Sequence, residues 1–314
     1  MEYRRFGQSG LKTSVISLGG WRNFGYRLND FETEAIIHHA VANGVTTFDT
    51  ADVYGPAEEA MGKALAKLRR QDLVLVTKCY WPISDNINDR GLSRKHITES
   101  VHNSLNRLQT DYIDLFLCHR FDEEVPLKET IRTFDDLIRQ GKILYWGTSA
   151  WTSEQILAAL NICDEWGYER PILEQSEYSL LNPLPKQSGL DATLEKAGMG
   201  LMCWSPLAAG ILAGKNLNSI QPDSLLGSVS EGLSSKYHHA DNIHLARQLQ
   251  QLALELQVPM ATLAINWLLA QSGVNNLVLG VSSLDQLNGN LTALNFEMPT
   301  PLVEQLSSMF NIPE

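Results

Sequence analysis

Eight short, nearly continuous apolar runs alternate with helical patterns along this chain. That alternation limits the folds open to it. The runs cover residues 15–18, 45–48, 73–77, 113–118, 143–146, 172–175, 200–204 and 277–279. Strands that are apolar on both faces belong to parallel sheets covered by helices. Eight such runs in one α/β unit predict a closed (β/α)8 TIM barrel rather than an open doubly wound sheet.

The segments between the runs fit that expectation. A helical pattern enters at Asn29-Asp30 and runs to Asn43, with Gly44 as its stop. Further helices are predicted over 57–70, from a Ser93 cap through Leu108, over 127–139 before Gly141, and over 154–166 behind a Ser153 cap. Others are predicted over 185–197, 243–256, 260–271, 283–294 and 301–310, so that extra helices close the C-terminal part. Residues 3–14, with Gly7-Gln8-Ser9-Gly10 at their centre, predict an N-terminal β-hairpin. Residues 214–242 read as a long polar loop, a length that often signals function. No Pro/Ser-rich linker or short-period repeat divides the chain, so residues 1–314 are expected to form one domain.

The net charge of −11 opposes general nucleic-acid binding, which needs a basic face. No apolar run reaches the ~18 residues of a membrane span, and Met1 to Phe6 have no secretory apolar core. Cys79, Cys118, Cys163 and Cys203 form no C-x-x-C pair, which favours a reducing, cytoplasmic setting over a disulfide framework or zinc site. G-x-G-x-x-G after a first strand, G-x-S-x-G and H-E-x-x-H are all missing. Gly210 and Gly214-Lys215 lack P-loop spacing. His238-His239-Ala240-Asp241-Asn242-Ile243-His244 reads as polar loop, and no metal site is expected there.

Three successive runs carry chemistry at or just beyond their ends. Asp49 follows 45–48, with Tyr54 five residues later on a Gly55-Pro56 link. Lys78 ends 73–77, and His119 ends 113–118. Each alone has an ordinary structural explanation: a turn Asp, a packing Tyr, a solvated Lys, a hydrogen-bonded His. In a (β/α)8 barrel, however, strand C-termini line one face, so the four would converge. A tyrosine is a poor acid near neutral pH unless a neighbouring cation stabilises its phenolate. Lys78 is suited to supply that cation, Asp49 to hold Lys78, and His119 to orient a substrate oxygen. This set suits protonation of a carbonyl oxygen, with the hydride delivered by a cofactor. Asp52, between Asp49 and Tyr54, reads as a turn or capping residue.

The motifs Phe48-Asp49-Thr50-Ala51-Asp52-Val53-Tyr54-Gly55, Thr77-Lys78 and Leu117-Cys118-His119-Arg120 closely resemble the aldo-keto reductase superfamily. Three further stretches resemble its branch of bacterial reductases and potassium-channel β-subunits. They are Ile143 to Ser149, Glu174-Gln175-Ser176-Glu177-Tyr178, and Trp204-Ser205-Pro206-Leu207-Ala208-Ala209-Gly210. The resemblance covers nearly the whole chain. It implies an NAD(P)H-dependent oxidoreductase reducing aldehydes or ketones, with Tyr54 as general acid and Asp49, Lys78 and His119 completing a tetrad.

It also implies cofactor contacts. Gly20, Trp21 and Asp49 would contact the cofactor, Ser149 and Gln175 would bond the nicotinamide carboxamide, and Trp204 would lie against the nicotinamide ring. Ser205, Pro206, Leu207, Gly210 and Lys215 would follow the pyrophosphate, and Ser282, Gln286 and Asn290 the adenosine end. Trp21, Tyr54, Trp81 and His119 would meet substrate, while Tyr80 and Trp151 are further candidate aromatic walls or simply barrel-end packing.

Many family members read the 2′-phosphate with a Lys and an Arg in the last segment, where this chain has Val281, Ser282 and Gln286. NADP(H) is still favoured over NAD(H), with Lys215, Lys236 or Arg27 as alternative partners for that phosphate. Channel β-subunits commonly lack the tetrad histidine. Its presence here favours a working reductase over the alternative, an NADP-binding regulatory or scaffold subunit with little turnover. Arg120, beside His119, reads as a surface ion-pair residue, with contact to an anionic substrate as the alternative. A homo-oligomer is compatible with all of this.

Overall fold

The computed structural model describes residues 1–313. Eight parallel strands close into a barrel, and every one matches an apolar run of the sequence. They are β3 (Ile16–Gly19), β4 (Thr47–Asp49), β5 (Val74–Cys79), β6 (Ile113–Cys118), β7 (Ile143–Ser149), β8 (Leu173–Glu177), β9 (Gly200–Trp204) and β10 (Val274–Leu279). β10 closes the ring by pairing with both β9 and β3.

Side chains alternate between the two faces of each strand. One set packs outward under the helices, including Leu18, Phe48, Leu75, Phe116, Trp146, Cys203 and Leu279. The other set, Val74, Val76, Leu115, Leu117, Leu173, Met202 and Val278, fills the barrel. Phe6 joins that interior cluster from the hairpin of β1 (Tyr3–Arg5) and β2 (Lys12–Ser14). The hairpin thereby plugs the N-terminal end of the barrel, anchored by a Gln8 amide donating to the Gly198 carbonyl (2.9 Å).

The helices are α1 (Asp30–Ala42), α2 (Ala57–Leu65), α3 (Arg94–Leu108), α4 (Leu127–Arg139), α5 (Ser153–Trp166), α6 (Leu184–Gln187) and α7 (Leu190–Ala197). They continue with α8 (Leu225–Ser228), α9 (Glu231–Tyr237), α10 (Ala240–Glu255), α11 (Met260–Leu269), α12 (Leu284–Ala293) and α13 (Thr300–Met309). Four sequence expectations need correction. The helix over 57–70 stops at Leu65, and a 3-10 turn, Arg70–Asp72, leads into β5. The expected helix over 185–197 is two helices, because Gly189 adopts φ 70° between them. Thr152, not Ser153, caps α5, through a capping box with Gln155. The stretch read as a polar loop holds α8, α9 and the first turn of α10, with Leu226 and Tyr237 buried.

Among the described residues, no single helix is long and apolar enough to cross a membrane. The α10–α11 pair passes on length and composition only, is bent by 101°, and has most of α11 buried in the core.

Candidate functional site

Strand parity builds the site. Asp49, Lys78 and Gln175 share the interior-facing register of Thr47, Val76 and Leu173, one layer nearer the C-terminal ends. His119 continues the parity of Leu115 and Leu117, and Trp204 that of Met202. Lys78 is fully buried and donates to Asp49 Oδ1 (2.7 Å), Asp49 Oδ2 (2.8 Å) and the Thr50 carbonyl (2.7 Å). All three ammonium protons therefore have acceptors, as a buried cation requires. Gln175 Nε2 also donates to Asp49 Oδ1 (2.7 Å) and touches Met202 Sδ (3.2 Å).

Tyr54 is set above this pair by the link from β4 to α2. The Tyr54 amide bonds the Ala51 carbonyl, and the Asp52 amide bonds the Lys78 carbonyl. The Tyr54 ring centre lies 5.4 Å from Lys78 Nζ, and its hydroxyl lies 3.5 Å from His119 Nε2. The structure thus brings Asp49, Tyr54, Lys78 and His119 together.

Their electrostatics differ from the sequence expectation in one respect. Burial, with the Asp49 charge second, pushes the Tyr54 hydroxyl well above its usual range. Lys78 is matched by Asp49, and the cation that pulls Tyr54 down is Arg120. Burial lowers the Lys78 pKa against the raising effect of Asp49. Burial, Lys78 and Arg120 together hold His119 well below its ordinary value, so its ring is neutral.

Aromatic rings wall this end of the barrel. Trp21 stands 6.4 Å from Tyr54, Trp81 stands 6.3 Å from His119, and Tyr80 meets Trp81 edge-on at 5.2 Å. Trp151 is buried and packs edge-on against Phe121 at 4.8 Å. It is core rather than wall.

The remaining candidate positions form a path around the strand ends. Ser149 is buried at the end of β7. Beyond Trp204 the chain leaves β9 through left-handed conformations at Ser205 (φ 53°), Ala208 (46°), Ala209 (53°) and Gly210 (95°). Turns of this kind align backbone N–H groups into concavities that suit anions. Leu207 precedes the 3-10 turn there, and Lys215 follows it. Gly20, at the exit of β3, leaves little room for a side chain, since a Cβ would meet Met61 Sδ at 3.0 Å. At the far side Ser283 caps α12, and Gln286 folds back on Ser282, donating to its hydroxyl (3.0 Å) and accepting from its amide (3.2 Å). Asn290 is buried on the same helix. A left-handed anion cradle, a lysine and a capped helix N-terminus together fit a pyrophosphate-bearing dinucleotide.

The three cations proposed as alternative phosphate partners separate clearly. Lys236 is taken by Glu177, which also accepts from the Tyr237 hydroxyl (2.8 Å). Arg27 donates to the Ser224 carbonyl (2.6 Å). Lys215 has its pKa lowered by partial burial and then by the Arg27 charge, with the Asp223 charge opposing. Arg22 donates to the Ser228 carbonyl (3.4 Å), so the 205–239 segment is held from both sides of the barrel mouth. His238 Nε2 bonds the Asn216 carbonyl (2.8 Å), and among the described residues no group of His, Cys, Asp or Glu is placed to hold a metal.

Asp52 does lie in the turn closed by the Tyr54 amide on the Ala51 carbonyl, and its side chain is also buried, accepts from Ser100 Oγ (2.7 Å) and lies 4.0 Å from His96 Nε2. Arg120 forms no ion pair among the described residues. It bonds the His119 carbonyl and lies 5.5 Å from the Trp81 ring centre. Strand parity past His119 does not reach either side chain, so periodicity held no signal for them.

The Aldo/keto reductase family model matches residues 15–310. A protein named "Probable voltage-gated potassium channel subunit beta" from Arabidopsis thaliana is 38% identical over 310 residues, covering 96% of this chain and 94% of that one. A protein of the same name from Oryza sativa subsp. japonica is 38% identical over 301 residues, covering 94% and 92%.

Proposed function

Because the chain belongs to the aldo/keto reductase family, we propose that it reduces aldehydes or ketones to alcohols with NADPH, using Tyr54 as the proton donor. The observation that carries this reading is the buried Lys78–Asp49 pair set beside a Tyr54 hydroxyl within 3.5 Å of His119 Nε2. NADPH, when bound, supplies the hydride. Ser149 and the Gln175 side chain would hold its carboxamide, Trp204 would flank its ring, and Gly20 and Trp21 would border it. Ser205, Pro206, Leu207, Gly210 and Lys215 would hold the pyrophosphate, and Ser282, Gln286 and Asn290 the adenosine end.

The chain's own residues do the rest. Trp21 and Trp81 exclude water and pack the substrate. Neutral His119 donates from Nε2 to the carbonyl oxygen and orients it beside Tyr54. A hydroxyl with so high a pKa keeps its proton in the ground state and yields it to the far more basic alkoxide oxygen. The phenolate left behind faces Lys78 and Arg120, whose attraction exists only once charge develops, which lowers the barrier rather than the substrate's affinity. Tyr54→Phe is expected to lower kcat by about 10²- to 10⁴-fold while the cofactor dissociation constant, read by fluorescence titration, stays near wild type. Full activity in that variant would sink the assignment.

The reading takes residues 1–314 as one domain in a reducing cytoplasmic setting, supported by four buried free cysteines, and leaves room for a homo-oligomer. A second reading, an NADP-binding regulatory subunit with little turnover, is favoured by the names of the two relatives. Steady-state turnover across an aldehyde panel separates them, since uniformly very slow rates support the subunit.

A further inference from the structure

Arg120 is a half-buried cation beside the proposed catalytic tyrosine, and among the described residues no carboxylate forms an ion pair with it. One guanidinium nitrogen donates to the His119 carbonyl. No other hydrogen bond of that side chain is formed among the described residues, so most of its five N–H donors are left over. The acidic side chains near enough to act on it are Glu174 and Glu177. Both are engaged elsewhere. Glu174 accepts from Thr148 (2.6 Å) and Ser176 (2.7 Å), and Glu177 is held by Lys236 and Tyr237. The other cation of the site, Lys78, is matched by Asp49. Beside Tyr54 and His119 the barrel end thus keeps a positive charge with no ion-pair partner among the described residues, in a protein whose net charge is −11.

Partial burial makes that arrangement costly without a ligand, and burial lowers the Arg120 pKa accordingly. The guanidinium is also fixed in place. It lies 5.5 Å from the Trp81 ring centre, and Trp81 meets His119 edge-on at 6.3 Å. A planar, stacked guanidinium with free N–H groups matches a carboxylate in two parallel hydrogen bonds. A substrate whose carbonyl oxygen sits between Tyr54 and His119 would carry such a group along the Trp81 wall toward Arg120.

We propose that Arg120 selects carbonyl substrates that bear a carboxylate, its guanidinium binding the carboxylate while Tyr54 and His119 hold the carbonyl oxygen. This rests on the carbonyl-reduction reading and names its substrate class. Arg120 here determines specificity; the bonds made and broken are those of the reduction already described.

The test compares meta- and para-carboxybenzaldehyde with their methyl esters, in wild type and in Arg120→Gln. The ratio of kcat/KM for acid over ester is expected to fall about tenfold to a hundredfold in the variant for at least one isomer, the range for losing a charge-assisted pair, with partial recovery in Arg120→Lys. An unchanged ratio overturns the proposal. So does a parallel fall for acid and ester accompanied by a shifted pH profile, which would make Arg120 a tuner of Tyr54 alone. Calorimetry of the matching carboxybenzyl alcohols on the NADP-loaded protein gives a readout without turnover. Absence of turnover with tighter binding of the acid to wild type than to Arg120→Gln would remove the reductase reading and keep the anion site. Equal binding would remove the anion site. If Arg120→Gln does not fold, the wild-type preference for acid over ester and its loss at high salt decide the matter, and no preference overturns the proposal.

Discussion

Asp52 shows how a single buried carboxyl can shape the pH response of the site's scaffold. Burial drives its pKa up to about 7, the Ser100 hydroxyl opposes that rise, and the Glu58 charge adds to it. One of its oxygens has no hydrogen-bond partner among the described residues. His96, at 4.0 Å, is itself held low by burial and so stays neutral rather than supplying a counter-charge. The folded chain therefore binds a proton that the unfolded chain releases near pH ~4, and stability falls as the pH rises from about 4 to about 7. Asp52→Asn keeps the shape and removes the charge. It should gain about 1–3 kcal/mol over wild type near pH ~8 and little near pH ~4, read from denaturant midpoints at both values. Parallel pH curves for the two proteins would contradict this. The residue scale is also where sequence reading was most uneven. Asp49, Lys78 and His119 were legible because strand ends face one mouth. The partners of Asp52 and Arg120 were not, because they come from α3 and from a neighbouring loop, and no periodicity encodes them.

Elements carry the geometry of the Tyr54 link. α2 follows it directly, and α2 sits on α3 with almost no spacing at Gly62. A Cβ there would stand 2.2 Å from the Arg107 carbonyl oxygen and 2.9 Å from the Leu108 backbone. The approach is fastened nearby by buried Glu58, which accepts from Arg107 Nε (2.6 Å) and from Thr77 Oγ1 (2.6 Å). In an open helix, Gly→Ala stabilises by roughly 0.5–1 kcal/mol. Here the methyl must push two helices apart, so Gly62→Ala should instead destabilise by about 1–3 kcal/mol. Equilibrium denaturation measures it, and a stabilised variant would mean that the two backbones do not meet there. The strands, α1, α4 and α12 followed from apolar spacing and caps. Other boundaries did not. The break at Gly189 depends on a left-handed residue, and α8 and α9 hold because Arg22 and Arg27, in the loop after β3, and Glu177, on β8, grip them. Such contacts lie far apart in sequence, so a local reading leaves a loop.

For the whole molecule, the proposed cofactor path is a lever on global stability. It draws residues from the ends of β3, β7, β8 and β9 and from α12, so the site exists only when the barrel is closed. A ligand that binds only the folded state stabilises it by RT ln(1 + [L]/Kd), about 2.7 kcal/mol at a concentration one hundred times Kd. In a chain of 314 residues that amounts to several degrees in Tm, at roughly 2 °C or somewhat less per kcal/mol. The choice between the two dinucleotides turns on where the 2′-phosphate finds cations. The start of α12 offers Ser282, Ser283 and Gln286 but no Lys or Arg. Lys236 is committed to Glu177, which leaves Lys215 and Arg27, whose charges repel each other while Asp223 offsets part of that repulsion at Lys215. NADPH should therefore raise Tm more than NADH at equal concentration, and Lys215→Met should shrink the excess while leaving the NADH shift the less affected of the two. Differential scanning fluorimetry with both cofactors measures this. Equal shifts in wild type, or an excess that survives Lys215→Met unchanged, would take the 2′-phosphate away from this pair of cations.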